Sequence, residues 1–213
     1  RSDAEYAHAH IPGSSSLPLF NDEERAVVGT VYKQQSREEA IKKGLDFFGP
    51  KMKEMLLRAE ALIKEKSPNS KTVLVHCWRG GMRSAAVAWL LDLYGFRVYT
   101  LIGGYKAFRN WVLLELCKKH PFTILGGNTG SGKTIVLQAL ANLGEAVVDL
   151  EGLAGHKGSA FGNIGLPKQP SQEMFENKLS LAIKIEREKR PDKNIWLEDE
   201  SQRIGAVNIP QAM

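Results

Sequence analysis

The feature that most constrains this chain is Gly127-Asn128-Thr129-Gly130-Ser131-Gly132-Lys133-Thr134, which satisfies the pattern G-x4-G-K-[ST] in full. A short apolar run at residues 122–125 precedes it, and a helical pattern over residues 133–142 follows. Strand, glycine turn and helix in that order are the setting in which this pattern binds phosphate, the P-loop. Glycines let successive backbone N–H groups curl around phosphate oxygens. Gly127, Gly130, Gly132, Lys133 and Thr134 are therefore candidate phosphate-binding residues, with Thr134 also placed for Mg²⁺. A strand that turns into a helix and returns to a parallel neighbour predicts an α/β fold with a parallel sheet.

The pattern continues as expected for such a sheet. Residues 146–150 read as a strand, residues 171–189 as a long helix and residues 194–197 as another strand. The run Ile195-Trp196-Leu197-Glu198-Asp199-Glu200, apolar and then acidic, resembles a Walker B strand. Asp199 or Glu198 would then hold Mg²⁺ through water, and Asp149 is a second candidate for that task. The connection over residues 151–169 carries five glycines with His156, Lys157 and Ser159, and reads as a ligand-contacting loop without regular structure.

Upstream, Asn21-Asp22-Glu23-Glu24 and Ser36-Arg37-Glu38-Glu39 are helix starts. Gly49-Pro50 is expected to end the second of these helices and a separate helix to cover residues 51–66. Residues 72–76 read as a strand buried on both faces. A helix over residues 84–94, a strand over 96–101, the Gly103-Gly104 turn and a helix over 105–119 follow. His120-Pro121 is the best domain boundary, giving domains 1–120 and 121–213. Charge is uneven across them. Between residues 71 and 119, eight basic residues (Lys71, Arg79, Arg83, Arg97, Lys106, Arg109, Lys118 and Lys119) face only Asp92 and Glu115. An anionic substrate or a nucleic acid suits that stretch.

Its centre is His76-Cys77-Trp78-Arg79-Gly80-Gly81-Met82-Arg83-Ser84. A cysteine between a strand and a helix start receives backbone N–H groups that favour the thiolate, the reactive form. Gly80 and Gly81 let the loop curl inward, and Arg79 and Arg83 supply fixed positive charge for an arriving anion. Cys77, Arg79 and Arg83 are the candidate catalytic residues, with Cys77 as nucleophile. Cys117, the other cysteine, reads as packing, and two cysteines make no disulfide framework. His8 and His10 lack the further ligands that a metal site needs.

The loop resembles the rhodanese domains through Cys77, Gly80, Arg83 and Ser84, with one extra residue before the arginine. That residue gives His-Cys-x5-Arg, which is similar to the cysteine phosphatases, so the loop alone leaves sulfur-type and phosphoryl transfer both open. Asp92 is the nearest following acid and nothing marks it as the acid a phosphatase uses. Flanking segments resemble rhodanese domains: Ala4-Glu5-Tyr6-Ala7-His8-Ala9-His10-Ile11-Pro12-Gly13, and Gly103-Gly104-Tyr105-Lys106-Ala107-Phe108. The expected fold is thus a rhodanese-like parallel-sheet domain, its first strand lying before Arg1, followed by a P-loop NTPase-like α/β domain that is also incomplete.

The two domains joined, with residues 22–35, 148–154, 156–162 and 196–205, resemble the bacterial tRNA 2-selenouridine synthase family along nearly the whole chain. The resemblance implies a transferase acting on the wobble uridine of tRNAs for Lys, Glu and Gln. In such enzymes geranyl diphosphate alkylates 2-thiouridine, and selenium from selenophosphate then replaces the S-geranyl group. Cys77 would carry that selenium as an S-selanyl intermediate. A selenophosphate-producing enzyme would be the supplier, and the chain would be a partial copy working in the cytoplasm. The P-loop is expected to hold geranyl diphosphate with Mg²⁺, while ATP or GTP stays open. Two further readings remain. One is a cysteine-dependent phosphatase or sulfurtransferase coupled to an NTPase domain; the other is a non-enzymatic RNA-binding module. Apolar and charged content is ordinary for a globular chain, and no apolar run reaches the roughly 18–20 residues of a membrane helix.

Overall fold

The structure, a computed structural model, describes residues 1–128, 130–157, 165, 167–211 and 213. The chain divides into two compact units, Arg1–Phe108 and Arg109–Met213.

The first unit holds α1 (Asp3–His8), α2 (Asp22–Gln34), α3 (Arg37–Lys66), β1 (Thr72–Val75), α4 (Met82–Leu93), β2 (Arg97–Thr100) and the first turn of α5 (Gly104–Leu116). Helix α2 starts where the sequence places it. Asn21 accepts the Glu24 N–H and Glu24 reaches back to the Asn21 N–H, a complete capping box. Ser36 caps α3 by accepting the Glu39 N–H at 3.1 Å.

Pro50 does not end that helix, contrary to the sequence expectation. Residues 37–66 form one continuous α3 with Pro50 inside it. Proline removes one backbone hydrogen bond, but Phe48, Met55 and Ala59 lie on one face across it and are all buried. They pack with Leu19, Phe20, Val87, Leu90, Leu91 and Phe96 in a single core. Keeping this stripe in phase outweighs one lost hydrogen bond, because each buried side chain contributes about 1.5–3 kcal/mol.

Strands β1 and β2 pair in parallel, Thr72 opposite Arg97 and Val75 opposite Thr100. Val73, Val75 and Val98 turn to the core. Leu74 and Tyr99 point the other way and are 60% and 48% exposed. The expectation of a strand buried on both faces therefore fails. Among the described residues this sheet has two strands and its helices cover one face.

The second unit holds the rest of α5, then β3 (Phe122–Leu125), α6 (Lys133–Asn142), β4 (Ala146–Val147), α7 (Leu150–Ala154), α8 (Gln172–Lys189), β5 (Ile195–Glu198), β6 (Arg203–Ile204) and β7 (Val207–Asn208). Its parallel sheet runs β3-β5-β4, so the last of these strands in sequence lies in the middle. Ile195, Leu197 and Glu198 on β5 are buried, as are Phe175, Leu179 and Ile183 on α8.

Two elements differ from the sequence expectation. Strand β4 stops at Val147, because Asp149 accepts the Gly152 N–H at 2.7 Å and caps the short helix α7. The opening of the 151–169 connection is therefore helical. A β6–β7 hairpin also forms, pinned by amide side chains. Gln169 donates to Ala154 O and Ile204 O, and Gln172 exchanges two hydrogen bonds with the Asn208 backbone. Ser159, with the rest of residues 158–164 and residue 166 of the expected ligand-contacting loop, lies outside the described residues.

Candidate functional site

Cys77 lies two residues past the end of β1 and is 5% exposed. Its Sγ is 3.3 Å from Ser84 Oγ, and Ser84 Oγ is 2.9 Å from the Gly81 carbonyl. Burial alone would push the thiol up. Hydrogen bonds from the Ser84 hydroxyl and from the N–H groups of Ser84, Arg79 and Gly81 outweigh that, leaving Cys77 below the ordinary thiol value. The loop N–H groups do converge on the sulfur.

What holds the loop in this shape is the Gly103-Gly104 turn. Tyr105 N–H donates to Cys77 O and Lys106 N–H to Trp78 O, both at 2.9 Å. Gly104 has φ +57°, and a Cβ there would sit 2.4 Å from Cys77 O and 2.5 Å from Gly80 N. Only glycine tolerates that approach.

Arg83 donates to Glu5 Oε2 at 3.2 Å, and Arg25 stands 3.9 Å from the other Glu5 oxygen. Arg79 is exposed. A cavity of about 20 Å³ opens beside Cys77 between His76, Arg83 and Ser84. Burial holds His76 below its ordinary value, so its imidazole is neutral at pH 7. Asp92 sits near the end of α4, exposed, and does not line this cavity. Sequence reasoning missed Glu5. Its signal was the Ser2–Glu5 capping box of α1, which fixes the carboxylate that Arg83 meets.

The glycine loop of the second unit is built differently. Gly127, Gly130 and Gly132 have φ of +153°, +82° and +84°, and Gly132 is the N-cap of α6. Lys133 Nζ donates to Gly127 O at 2.9 Å. Thr129 lies outside the described residues.

The strand order brings acids to this loop. Leu125 at the end of β3 is in register with Glu198 at the end of β5, and β4 runs along the other side of β5 into Asp149 and α7. Glu198 is 2% exposed, and its Oε1 accepts the Glu151 N–H at 2.9 Å. One oxygen from each of Glu151, Glu198 and Glu200 lies within 4.8 Å of those of the other two. Asp199 is exposed and outside this group, its N–H donating to Leu125 O. Burial pushes Glu198 up to about 7, opposed by the Glu151 N–H and reinforced by Asp149, Glu151 and Glu200. Burial likewise raises Glu151. Glu200 and Asp149 add repulsion there, while Lys133 and a hydrogen bond from the Thr134 hydroxyl pull the other way. The all-oxygen donor set beside Thr134 fits a hard divalent cation.

The family model described as "Rhodanese-like domain" matches residues 1–110, and that described as "tRNA 2-selenouridine synthase AAA domain" matches residues 120–213. Three relatives carry the name tRNA 2-selenouridine synthase. That of Sulfurovum sp. (strain NBC37-1) is 39% identical over 217 residues, covering 100% of this chain and 57% of the relative. That of Hydrogenovibrio crunogenus is 40% identical, covering 99% and 58%. That of Bdellovibrio bacteriovorus is 40% identical, covering 99% and 55%. The chain thus spans a little over half the length of these curated relatives. A crystal structure from Clostridium difficile 630, of the N-terminal domain of a protein described as ATP/GTP binding, is 43% identical with a TM-score of 0.49. It covers 53% of this chain and 84% of its own. With the rhodanese-like model over its first half, the chain belongs to the rhodanese-like family, and from end to end it is similar to the tRNA 2-selenouridine synthases.

Proposed function

We propose that this chain is part of a transferase that modifies the wobble uridine of tRNA, with domains meeting at His120-Pro121. It first geranylates 2-thiouridine from geranyl diphosphate. It then replaces the S-geranyl group with selenium from selenophosphate in a step that depends on Cys77: selenium bonds to the ring carbon as geranyl thiol leaves, and water takes the phosphoryl group from selenium as phosphate. The observation that carries this reading is the Cys77 thiol, held below the ordinary thiol value among loop N–H groups. A thiolate in that setting, with Arg83 on the same cavity, accepts a group arriving on a small anion. Arg79 beside it steers such an anion in. Alkylation turns the base sulfur into a thiol-type leaving group, so the ring carbon can then take selenium.

In the second unit Gly127, Gly130, Gly132 and Lys133 bind the diphosphate. Lys133 exchanges its hydrogen bond to Gly127 O for one to phosphate. Mg²⁺ is held by Thr134 and by acids following β5, Asp199 among those the sequence names. When bound it offsets charge on the departing diphosphate. Exposed Arg79, Arg97 and Lys106 offer positive charge to the tRNA backbone. The tRNA substrates are those for Lys, Glu and Gln, selenophosphate comes from the enzyme that makes it, and the work is done in the cytoplasm. No helix among the described residues is long and apolar enough to cross a membrane.

The test is mass spectrometry of nucleosides from thiolated tRNA incubated with geranyl diphosphate and selenophosphate. Wild type yields selenouridine and Cys77→Ser stops at the geranylated nucleoside. Selenouridine formed equally by both proteins would overturn the role of Cys77. The His-Cys-x5-Arg spacing and the Ser84 hydroxyl on the sulfur favour a second reading, a cysteine phosphatase. That reading predicts Cys77-dependent turnover of an aryl phosphate in the same samples.

A further inference from the structure

We propose that Glu5 is a positioning residue of the Cys77 site: its carboxylate keeps the Arg83 guanidinium at the cavity, where an arriving anion meets it. The proposal rests on the reading of that cavity as an anion site. Arg83 is the second residue of α4 and lines the cavity with His76 and Cys77. Its Nη1 donates to Glu5 Oε2 at 3.2 Å, across 78 residues of sequence.

An arginine at this place has two other courses. Its long stem can carry the head into water, or the head can fold onto the thiolate. The thiolate does not need it, being held already by the Ser84 hydroxyl and the N–H groups of Ser84, Arg79 and Gly81. Water competes weakly, because the Arg83 and Glu5 side chains are only 28% and 19% exposed. Glu5 engages Nη1, and the rest of the planar fork of donors stays available to an anion.

The carboxylate is itself fixed. Its Oε2 also accepts the Ser2 N–H at 3.1 Å, closing the first turn of α1, and its Oε1 stands 3.9 Å from Arg25 Nη1. Burial opposes its charge, but the Ser2 N–H, Arg83 and Arg25 together hold Glu5 below the ordinary carboxylate value. It is therefore ionised at neutral pH. Paired with Arg83 alone, Glu5 would cancel the charge that an anion needs. With Arg25 on its other oxygen, two guanidiniums share one carboxylate and the three side chains stay net positive.

The test compares alkylation of Cys77 by iodoacetate, an anion, with alkylation by neutral iodoacetamide, each read by mass spectrometry of the Cys77 peptide. The ratio of the two rates cancels changes in thiolate fraction and reads the preference of the cavity for negative charge. Arg83→Gln should lower the ratio about tenfold, the worth of a charge-assisted hydrogen bond. Glu5→Ala should lower it by about threefold or more, half of that effect on a logarithmic scale, even though it removes a negative charge. Glu5→Gln, whose amide oxygen still accepts from Arg83, should hold the ratio at or above that of wild type. Added to Arg83→Gln, Glu5→Ala should lower it no further. Should a thermal melt show that Glu5→Ala has not folded, Glu5→Asp decides: it keeps the charge, falls one methylene short of Arg83, and should also lower the ratio. A ratio that rises in Glu5→Ala as it does in Glu5→Gln overturns the proposal, because Glu5 then only offsets charge. So does a fall in Glu5→Gln equal to that in Glu5→Ala, or a fall that persists without Arg83. An unchanged ratio in Arg83→Gln would sink the anion-site reading itself, whereas a fall there with none in Glu5→Ala would sink the role of Glu5 alone.

Discussion

The Cys77 loop and the glycine loop at residues 126–134 are made of the same parts and do opposite things with them. Each follows a short strand, relies on glycines at positive φ and opens a helix. In the first, the loop N–H groups close on a side chain of the loop itself, and Cys77 is buried. In the second the centre holds no side-chain anion, and Gly127 and Asn128 are exposed. What separates them is the packing around the loop. The Gly103-Gly104 turn lies against Cys77 and Gly80 and shuts the first loop. Gly130 and Gly132 have nothing within 4 Å of where a Cβ would be, so the second stays open to an anion from outside. Donors at a helix start are common to both; their ligand is decided by neighbours far along the sequence.

Lys133→Ala is the largest effect on ligand binding expected within this comparison. It should weaken geranyl diphosphate or nucleotide binding by roughly 10- to 100-fold, the worth of a charge-assisted hydrogen bond. Alkylation of Cys77 should be untouched. Calorimetric titration reads the first and mass spectrometry of the carboxymethylated protein the second. A loss in both would mean that the two loops are not independent anion sites.

Gly104→Ala and Gly130→Ala sharpen the contrast in packing. A Cβ at Gly104 meets backbone at 2.4 Å and 2.5 Å and must displace it, whereas a Cβ at Gly130 meets nothing within 4 Å. The first should cost about 3–4 kcal/mol of stability by urea unfolding. The second should cost about 1–2 kcal/mol, the penalty of left-handed backbone at its φ of +82°. Equal costs would mean that the closed loop relaxes freely and that the Gly103-Gly104 turn does not set its shape.

These contrasts also separate what the sequence discloses from what it hides. Both loops were legible, because glycine spacing, a lone cysteine beside arginines and flanking apolar runs are local signals. The helix starts at Asn21 and Ser36 were legible for the same reason, since a cap bonds three residues away. The continuity of α3 through Pro50 was not, because it rests on a core shared with Leu19, Phe20 and α4. Nor was the grouping of Glu151 with Glu198 and Glu200, which depends on β5 entering the sheet between β3 and β4. The β6–β7 hairpin owes its place to Gln169 and Gln172, whose amides carry no sequence signature for that task.

The smallest effect, and the one that probes the closed loop most finely, is Ser84→Ala. The Ser84 hydroxyl has one proton and two partners, Cys77 Sγ at 3.3 Å and Gly81 O at 2.9 Å. With a protonated thiol it can donate to Gly81 and accept from sulfur. With a thiolate it must donate to sulfur, because the sulfur then only accepts. Removing the hydroxyl takes one stabilising donor from the thiolate and leaves the N–H groups of Arg79, Gly81 and Ser84 in place. The Cys77 thiol should therefore rise toward its ordinary value but stay functional. The pH profile of iodoacetate alkylation should shift to higher pH with an unchanged plateau. An unmoved profile would mean that the hydroxyl serves Gly81 in both states, and that backbone N–H groups alone hold the thiolate.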